Sequence, residues 1–547
     1  MTSTVQKMIS SINKKDEEQL KINDKMFADF YHKLKGDLEA YDNILILGDY
    51  DCDGIVSSLI LNRIVPEAKV VLGDRYKYGY GLPDVKDLPL SENTLVICTD
   101  VGCNEIEKLS QINQITNAPI YIIDHHNIGT DVVTSLMNNY PYLLDFYKQQ
   151  NLEKGKVADY CATGLAYKLY ELDYREKGKD DIKEFNTVTA YASIGTVGDM
   201  VKVNNPYDDN REIIRKGFEK INNANPNNFN GTLARFLNLC GIDGKNPINT
   251  HEVGFKISNV INALGRMEEN GANKVYEALN SEIFTKNNEF VKETDEKLKY
   301  LINVNEQRKD LQKVYRESIE YKNALNNENK INILVSESLK QGLTGLVATE
   351  LCNETGKATI VFTKDSKGNY VASGRSPENY PNMLENCKVD KVLKIGGHEK
   401  ALGMTVEPKN IEFVKKALED KYNSLEIPEL KTEYLDIPED FDISTMYALE
   451  PFGTDFPKPN FKAEVQIDKF NTKMLAGNEN WKRVYLSNNI EAVTFNKGNM
   501  LNAGDKVIVK GEMDINTFAG KQCLQIAIKD IESKQKTIDK NNIELEK

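Results

Sequence analysis

The stretch Asn43–Ser57, NILILGDYDCDGIVS, decides the fold. Four apolar residues, Ile44 to Leu47, run into Gly48 and then into carboxylates spaced two apart, Asp49, Asp51 and Asp53. Gly54 and a second apolar run through Ile55, Val56, Leu59 and Ile60 follow. This pattern predicts a buried strand, a tight acidic loop and a helix. In an open α/β sheet the ligand site lies beyond the carboxyl ends of the strands, which is where these aspartates fall. Two carboxylates held about 4 Å apart repel by roughly 4 kcal/mol at an effective dielectric near 20. A fold that gathers several must therefore supply a cation or protonate one.

The arrangement recurs downstream. A predicted strand over Thr94–Cys98 ends in Thr99-Asp100-Val101-Gly102, and another over Pro119–Ile123 ends in Asp124-His125-His126. A single Asp after a strand is usually a helix cap. Three in succession, joined by two of only five histidines in the chain, point instead to a metal site. Asp199, expected after a Gly-rich turn in GTVGDMVKV, is the last acidic candidate. Oxygen ligands with an imidazole suit Mn2+ or Mg2+ better than zinc, given the lack of a thiolate set. Two such ions, about 3.5 to 4 Å apart, activate a water and steady the leaving oxygen of an in-line phosphoryl displacement. No Walker loop is present, which argues against a nucleotide-driven motor.

Length and composition set the outer limits. A chain of 547 residues is too long for one core, so three or four domains are expected. Hydrophobic residues make up 40% and charged residues 28%, the balance of a globular protein. No apolar run is long enough to span a bilayer, and the polar N-terminus lacks the apolar segment of a signal peptide, so a soluble cytoplasmic protein without a membrane partner is expected. The eight cysteines are scattered with no CxxC pair, which suggests buried reduced thiols. A net charge of −13 argues against simple coating of nucleic acid but leaves room for a local basic groove.

Read in order, residues 1–40 suggest a helical extension packed on the first domain, and 41–280 that α/β domain. Its GDRYKYGYGLP loop carries Arg75 and could hold a phosphate and stack a base, while Arg266, in a helical stretch, reads as a phosphate contact or a structural charge. Residues 281–325 are charged and helical, with Leu301, Val304, Leu311 and Val314 along one stripe. A helix of about forty residues would span about 60 Å and bridge two domains. Residues 326–425 alternate strand and helix and contain two Gly-rich turns, Ser373-Gly374-Arg375-Ser376 and Gly396-Gly397-His398-Glu399, that could clamp an anion. A Pro-containing linker spans 426–460. Short alternating strands over 461–535 suggest a small barrel, for which an OB-fold fits. A charged tail covers 536–547.

The ordered set DYDCDG, TDVG, DHH and GTVGD, continued by GRS and GGHEKALG, resembles the DHH phosphoesterases and, within them, the RecJ-like single-strand-specific exonucleases. The resemblance covers roughly residues 40 to 532. It implies an α/β fold with a parallel-sheet DHH domain, a smaller α/β DHHA1-type domain joined to it by a long helix, and a C-terminal OB-fold β-barrel. It further implies a metal-dependent 5′ to 3′ exonuclease acting on single-stranded DNA in repair and recombination, with two ions of Mn2+ or Mg2+. Two other classes share parts of the pattern: a small-substrate phosphodiesterase for oligonucleotides or cyclic dinucleotides, and an inactive single-strand-binding scaffold.

Carried over by position, the resemblance gives Asp51 and Asp100 to one ion, with Asp49 close by, and Asp53, Asp100, His125 and Asp199 to the other. Asp124 would orient its neighbours, and His126 would lie near the scissile phosphate. Arg75, Ser373 and Arg375 look like the pocket for a 5′-terminal phosphate, with Arg266 and His398 along the strand path. A monomer is expected, with single-stranded DNA as partner and a single-strand-binding protein or helicase as candidate protein partners. The chain departs from the family pattern at Leu339–Gly345 (LKQGLTG), at LEPFGTDFPKP, where Gly-Asn-Pro is usual, and at TDVGC.

Overall fold

The computed structural model describes residues 3–126, 143–144, 157–178, 180–225, 228–285, 287–429, 432–486, 489–518 and 521–536. Strands β1 (Asn43–Gly48), β2 (Lys69–Leu72), β3 (Thr94–Thr99), β4 (Ile120–Ile123) and β5 (Leu143–Leu144) form one parallel sheet in the order β2-β1-β3-β4-β5. The strands are apolar on both sides because both faces are covered. Ile44, Ile46, Leu95 and Ile97 face one core, with the helices Cys52–Ile64, Ala162–Glu176 and Ile182–Gly198. Leu45, Leu47, Val96 and Cys98 face another, under the helix Ile106–Thr116. Register matters most for the site. Gly48 pairs with Thr99, and Thr99 with Ile123, so the next residues, Asp49, Asp100 and Asp124, form a row across three strand tips.

The N-terminal segment divides its contacts. The helix Glu17–Leu38 buries Phe27, Phe30, Tyr31 and Leu34 in the core of the parallel sheet. The helix Ser3–Ser10 instead places Met8 and Ile9 against the core of the third sheet, so only part of the extension packs where the sequence suggested.

A second sheet has the order β6-β7-β8-β10-β9, from β6 (Ile331–Val335), β7 (Ala358–Lys364), β8 (Tyr370–Arg375), β9 (Val392–His398) and β10 (Ala401–Val406). Only β6 and β7 run parallel; the other pairs are antiparallel. The bridge between the first two sheets is not the forty-residue helix expected. It is a helix of 25 residues, Lys292–Arg316, or about 38 Å. The chain breaks at Glu317, and Ser318 caps a separate helix, Ile319–Leu325, by accepting from Tyr321 N. The apolar stripe is correspondingly short: Leu301 and Val304 are buried, while Leu311 and Val314 are exposed. The two lobes also touch directly. A Cβ at Gly342 would overlap the Arg266 carbonyl, and Lys340 Nζ donates to Met267 O (3.1 Å); within the first lobe, Tyr76 OH donates to the same Arg266 O (2.5 Å).

The third sheet takes β11 (Leu435–Asp436), β12 (Asn460–Gln466), β13 (Thr472–Leu475), β14 (Asn478–Tyr485), β15 (Ile490–Thr494), β16 (Asp505–Phe518) and β17 (Lys521–Lys536) in the order β11-β12-β16-β17-β15-β14-β13. The segment leading into it is held on the first lobe. Arg211, fully buried, donates to the carbonyls of Leu449, Glu450 and Pro451, and Arg215 donates to those of Ala448 and Glu450. Most of the expected C-terminal tail, from residue 537, lies outside the described residues.

Candidate metal centre

The aligned strand tips bring the carboxylates together. Adjacent strands lie about 4.8 Å apart, so side chains leaving the same end of β1, β3 and β4 cannot separate far. Asp100 takes a left-handed backbone (φ 61°), unusual for a residue other than glycine, and its N–H still donates to Ile123 O at 2.9 Å. Asp51 caps the helix Cys52–Ile64, accepting from Asp53 N (3.0 Å) and Gly54 N (3.3 Å). Asp53 is gripped from a distant part of the chain. Its two carboxylate oxygens accept from Ala162 N (2.9 Å) and Thr163 N (2.8 Å), the first N–H groups of the helix Ala162–Glu176.

Asp199 corrects the expectation of a Gly-rich turn. Thr196, Val197 and Gly198 lie inside the helix Ile182–Gly198, and Asp199 is its C-terminal cap. The glycines serve packing: side chains at Gly195 and Gly198 would collide with Thr163 and Cys52. Asp199 thereby leans toward the sheet tips.

Three sets of ligand atoms result, the atoms of each lying within 4.8 Å of one another: Asp49, Asp51 and Asp100; Asp53, His125 and Asp199; and Asp100, His125 and His126, which joins the first two. His125 Nε2 lies 3.3 Å from Asp100 Oδ1, 3.5 Å from Asp53 Oδ2 and 3.8 Å from Asp199 Oδ2, which places Asp100 between the two carboxylate sets. Burial first, and then the neighbouring carboxylates, push Asp49, Asp100 and Asp199 well above the usual carboxyl range. The buried Asp49 Oδ1 has no hydrogen-bond partner among the described residues. A divalent cation fits this donor set: it removes the repulsion and satisfies the orphaned oxygen.

Asp124 has another part. Its Oδ1 accepts from His125 N (2.8 Å), His126 N (3.2 Å) and His126 Nδ1 (2.8 Å), and its Oδ2 accepts from Cys103 N (2.9 Å). So engaged, it holds the His pair in place. The other ring nitrogen of His126, Nε2, meets Tyr80 OH at 2.9 Å. Burial opposes protonation of His126, but the charge and hydrogen bond of Asp124 prevail and push it up to about 10.

Beside the carboxylates lies a basic group. Arg75 stacks on Tyr50, the residue after Asp49, with its guanidinium 4.3 Å from the ring centre. Arg266 is lowered to about 9 by burial and then by the charge of Arg75, and Arg375 is lowered for the same two reasons. Among the described residues none of the three arginines forms an ion pair, and the buried Arg75 Nε lacks an acceptor. Ser373 and Arg375 lie on one face of β8, and Ser373 Oγ is 2.9 Å from Thr344 Oγ1, at the start of the helix Thr344–Thr355. His398 is one further strand away: Ala401 on β10 pairs with Arg375 on one side and with His398 on the other. Arginines that form no ion pair among the described residues, beside a helix N-terminus, could receive an anion.

All thirteen residues singled out in the sequence thus fall into two adjoining groups, one acidic with the His pair and one basic. Sequence reading missed the N–H pair at Ala162 and Thr163, the Tyr50 platform under Arg75, and Thr344. No spacing signal marks partners more than a hundred residues apart, although Tyr50 sits inside the decisive motif.

Residues 43–194 match the family model described as the DHH family, N-terminal domain, and residues 434–530 match that of the RecJ OB domain. The chain is similar to the single-stranded-DNA-specific exonuclease RecJ of Bacillus subtilis, with 27% identity over 92% of this chain. It spans 64% of that relative, less than two thirds of its length. It is also similar to the protein of the same name from Haemophilus influenzae, with 22% identity over 90% of this chain and 89% of that one. Its fold is that of RecJ from Thermus thermophilus, crystallised in complex with Mn2+, at a TM-score of 0.71 and 19% identity over 93% of this chain and 72% of that one. The acidic sheet tips thus lie inside the region similar to the DHH family model, and the terminal strands inside the region similar to the RecJ OB domain.

Proposed function

We propose that the protein is a metal-dependent exonuclease that hydrolyses single-stranded DNA from its 5′ end. The observation that carries the reading is that two carboxylate groups, linked through Asp100 and His125, adjoin an arginine group that forms no ion pair among the described residues. Mn2+ or Mg2+, when bound, supplies the activation of water and the charge stabilisation at the leaving oxygen. The relatives named for this activity, and the Mn2+ in the Thermus structure, support the choice of substrate and ion.

In this reading Asp49, Asp51 and Asp100 hold one ion and Asp53, Asp100, His125 and Asp199 the other. Asp124 fixes the His pair, and the cationic His126 faces the scissile phosphate. Arg75, Ser373 and Arg375 receive the terminal 5′-phosphate, and Arg266 and His398 line the strand. The working parts are the extension 1–40, the DHH domain 41–280, the connection 281–325, the DHHA1-type domain 326–425, the linker 426–460, the OB-fold 461–535 and the tail. A cytoplasmic monomer acting in DNA repair and recombination, together with a helicase or a single-strand-binding protein, fits these features. Among the described residues no helix is long and apolar enough to cross a membrane.

The test is digestion of end-labelled DNA with Mn2+ or Mg2+. Mononucleotides released first from the 5′ end of a single strand, with the duplex resistant, are expected. Preference for a dinucleotide, or release from the 3′ end, would overturn the proposal.

A further inference from the structure

The departure at LEPFGTDFPKP has a structural counterpart. Asp455 reaches from the lead-in to the third sheet to the loop that leaves Asp199. Its Oδ1 accepts from Val203 N (2.7 Å) and Asn204 N (3.1 Å), and its Oδ2 accepts from Asn204 N (3.0 Å). Beside it, Gly453 has no room for a Cβ against the Val203 side chain and the Val201 carbonyl. From the other side Asp159 Oδ2 accepts from Lys202 N at 3.1 Å, and Asn210 Nδ2 donates to Lys202 O at 3.2 Å. Between this clamp and Asp199 stands only a short link. Met200 adopts a left-handed turn (φ 57°) that a methionine enters at a cost, and its N–H donates to Val197 O at 3.1 Å. The chain keeps this turn because the residues after it are docked.

We propose that Asp455 is a positioning residue for the metal centre: by clamping residues 203 and 204 it holds the Met200 turn and, through it, the aim of the Asp199 carboxylate. Attachment of the C-terminal sheet therefore completes the ligand set. This rests on the reading of Asp199 as a metal ligand. Groups that orient metal ligands commonly change affinity by about 10- to 100-fold when removed. An indirect hold of this kind falls at the lower end.

The experiment is calorimetric titration of Mn2+ into the metal-free full-length protein, with melting temperature measured in parallel. Asp455→Ala is expected to weaken Mn2+ binding about 10-fold. Asp455→Asn keeps one acceptor and should recover most of that loss. Arg215→Ala removes two hydrogen bonds from the same seam without touching residues 200–204. It should lower the melting temperature and leave Mn2+ affinity unchanged. Equal Mn2+ affinity in Asp455→Ala and the parent would overturn the inference while leaving the metal reading intact, as would an equal loss in Arg215→Ala. A parent that takes up no Mn2+ would overturn the metal reading and the inference with it. Should Asp455→Ala fail to fold, Asp455→Asn alone decides, through an affinity reduced about threefold or unchanged.

Discussion

The Tyr80 hydroxyl lies 2.9 Å from His126 Nε2, while Asp124 Oδ1 lies 2.8 Å from Nδ1 of the same ring, so one imidazole is held at both nitrogens. With His126 cationic at neutral pH, the phenol oxygen accepts and the carboxylate balances the charge. Tyr80→Phe removes the acceptor and keeps the ring. Turnover is expected to fall about 10-fold with KM within twofold, the pattern of a contact that matters at the barrier and not in ground-state binding. A raised KM at constant kcat would assign Tyr80 to strand binding instead.

Asp100 and Asp53 should separate chemistry from architecture. On the proposed activity both substitutions to Ala should abolish cleavage, while in metal-free protein their effects on stability should have opposite sign. Asp53→Ala strands the buried Ala162 and Thr163 N–H groups and costs about 2 to 3 kcal/mol. Asp100→Ala removes a carboxylate crowded by its neighbours and raises stability. Denaturant midpoints in EDTA measure both, and a stabilised Asp53→Ala would refute the helix-anchoring role.

Arg375→Ala should reduce the preference for a 5′-phosphate over a 5′-hydroxyl end about 10-fold, because a charge-assisted pair of hydrogen bonds is lost. Arg375→Lys should not restore it, since an ammonium lacks the planar fork. Competition between the two labelled ends reads this directly.

Glu450 links pH to the seam between the first lobe and the third sheet. Burial raises it from 4.5 to about 6, against hydrogen bonds from Thr250 and Phe452 N that lower it. The folded form therefore holds a proton that the unfolded form releases between pH 4.5 and about 6. Stability falls as pH rises through that window, by about 2 kcal/mol from this group, and levels off above it. Glu450→Gln should lose this slope. The difference in denaturant midpoint between variant and parent, followed from pH 4.5 to about 7.5, isolates it; a constant difference would remove Glu450 as the source.

A cavity of about 770 Å³ lies away from the carboxylates, between the third sheet and the helices around Arg316 and Leu325. Trp481 and Phe495 border it with their rings edge to face, 5.5 Å apart. If bases stack there, Trp481→Ala weakens binding of long strands by about 1 to 3 kcal/mol and spares short ones. A loss independent of strand length would exclude a stacking role.

Much of the site was legible because it depends on strand ends. A strand announces itself by an apolar run, and a sheet in register turns three sequence positions, Asp49, Asp100 and Asp124, into one row. The parallel sheet and the terminal strands were legible for the same reason. Asp199 was identified by its surroundings but assigned the wrong local structure, because glycine allows both a turn and close helix packing, and only the partners Thr163 and Cys52 decide between them. The bridging helix was overestimated because charge patterning continues through Glu317 and Ser318, where a serine cap starts a new helix. Asp53 at the head of a helix beginning 109 residues later, and Asp455 beneath Val203, leave no local trace in the sequence at all.

The seat of Gly342 on the Arg266 backbone has a further consequence. With Gly342 packed against the Arg266 carbonyl, Arg266 donating back to Gly342 O and Lys340 donating to Met267 O, the span from the arginines to the carboxylates is a set gauge. If the proposed exonuclease activity holds, a gauge of constant length predicts cleavage at the same step from each tip and fragments uniform in size whatever their base composition.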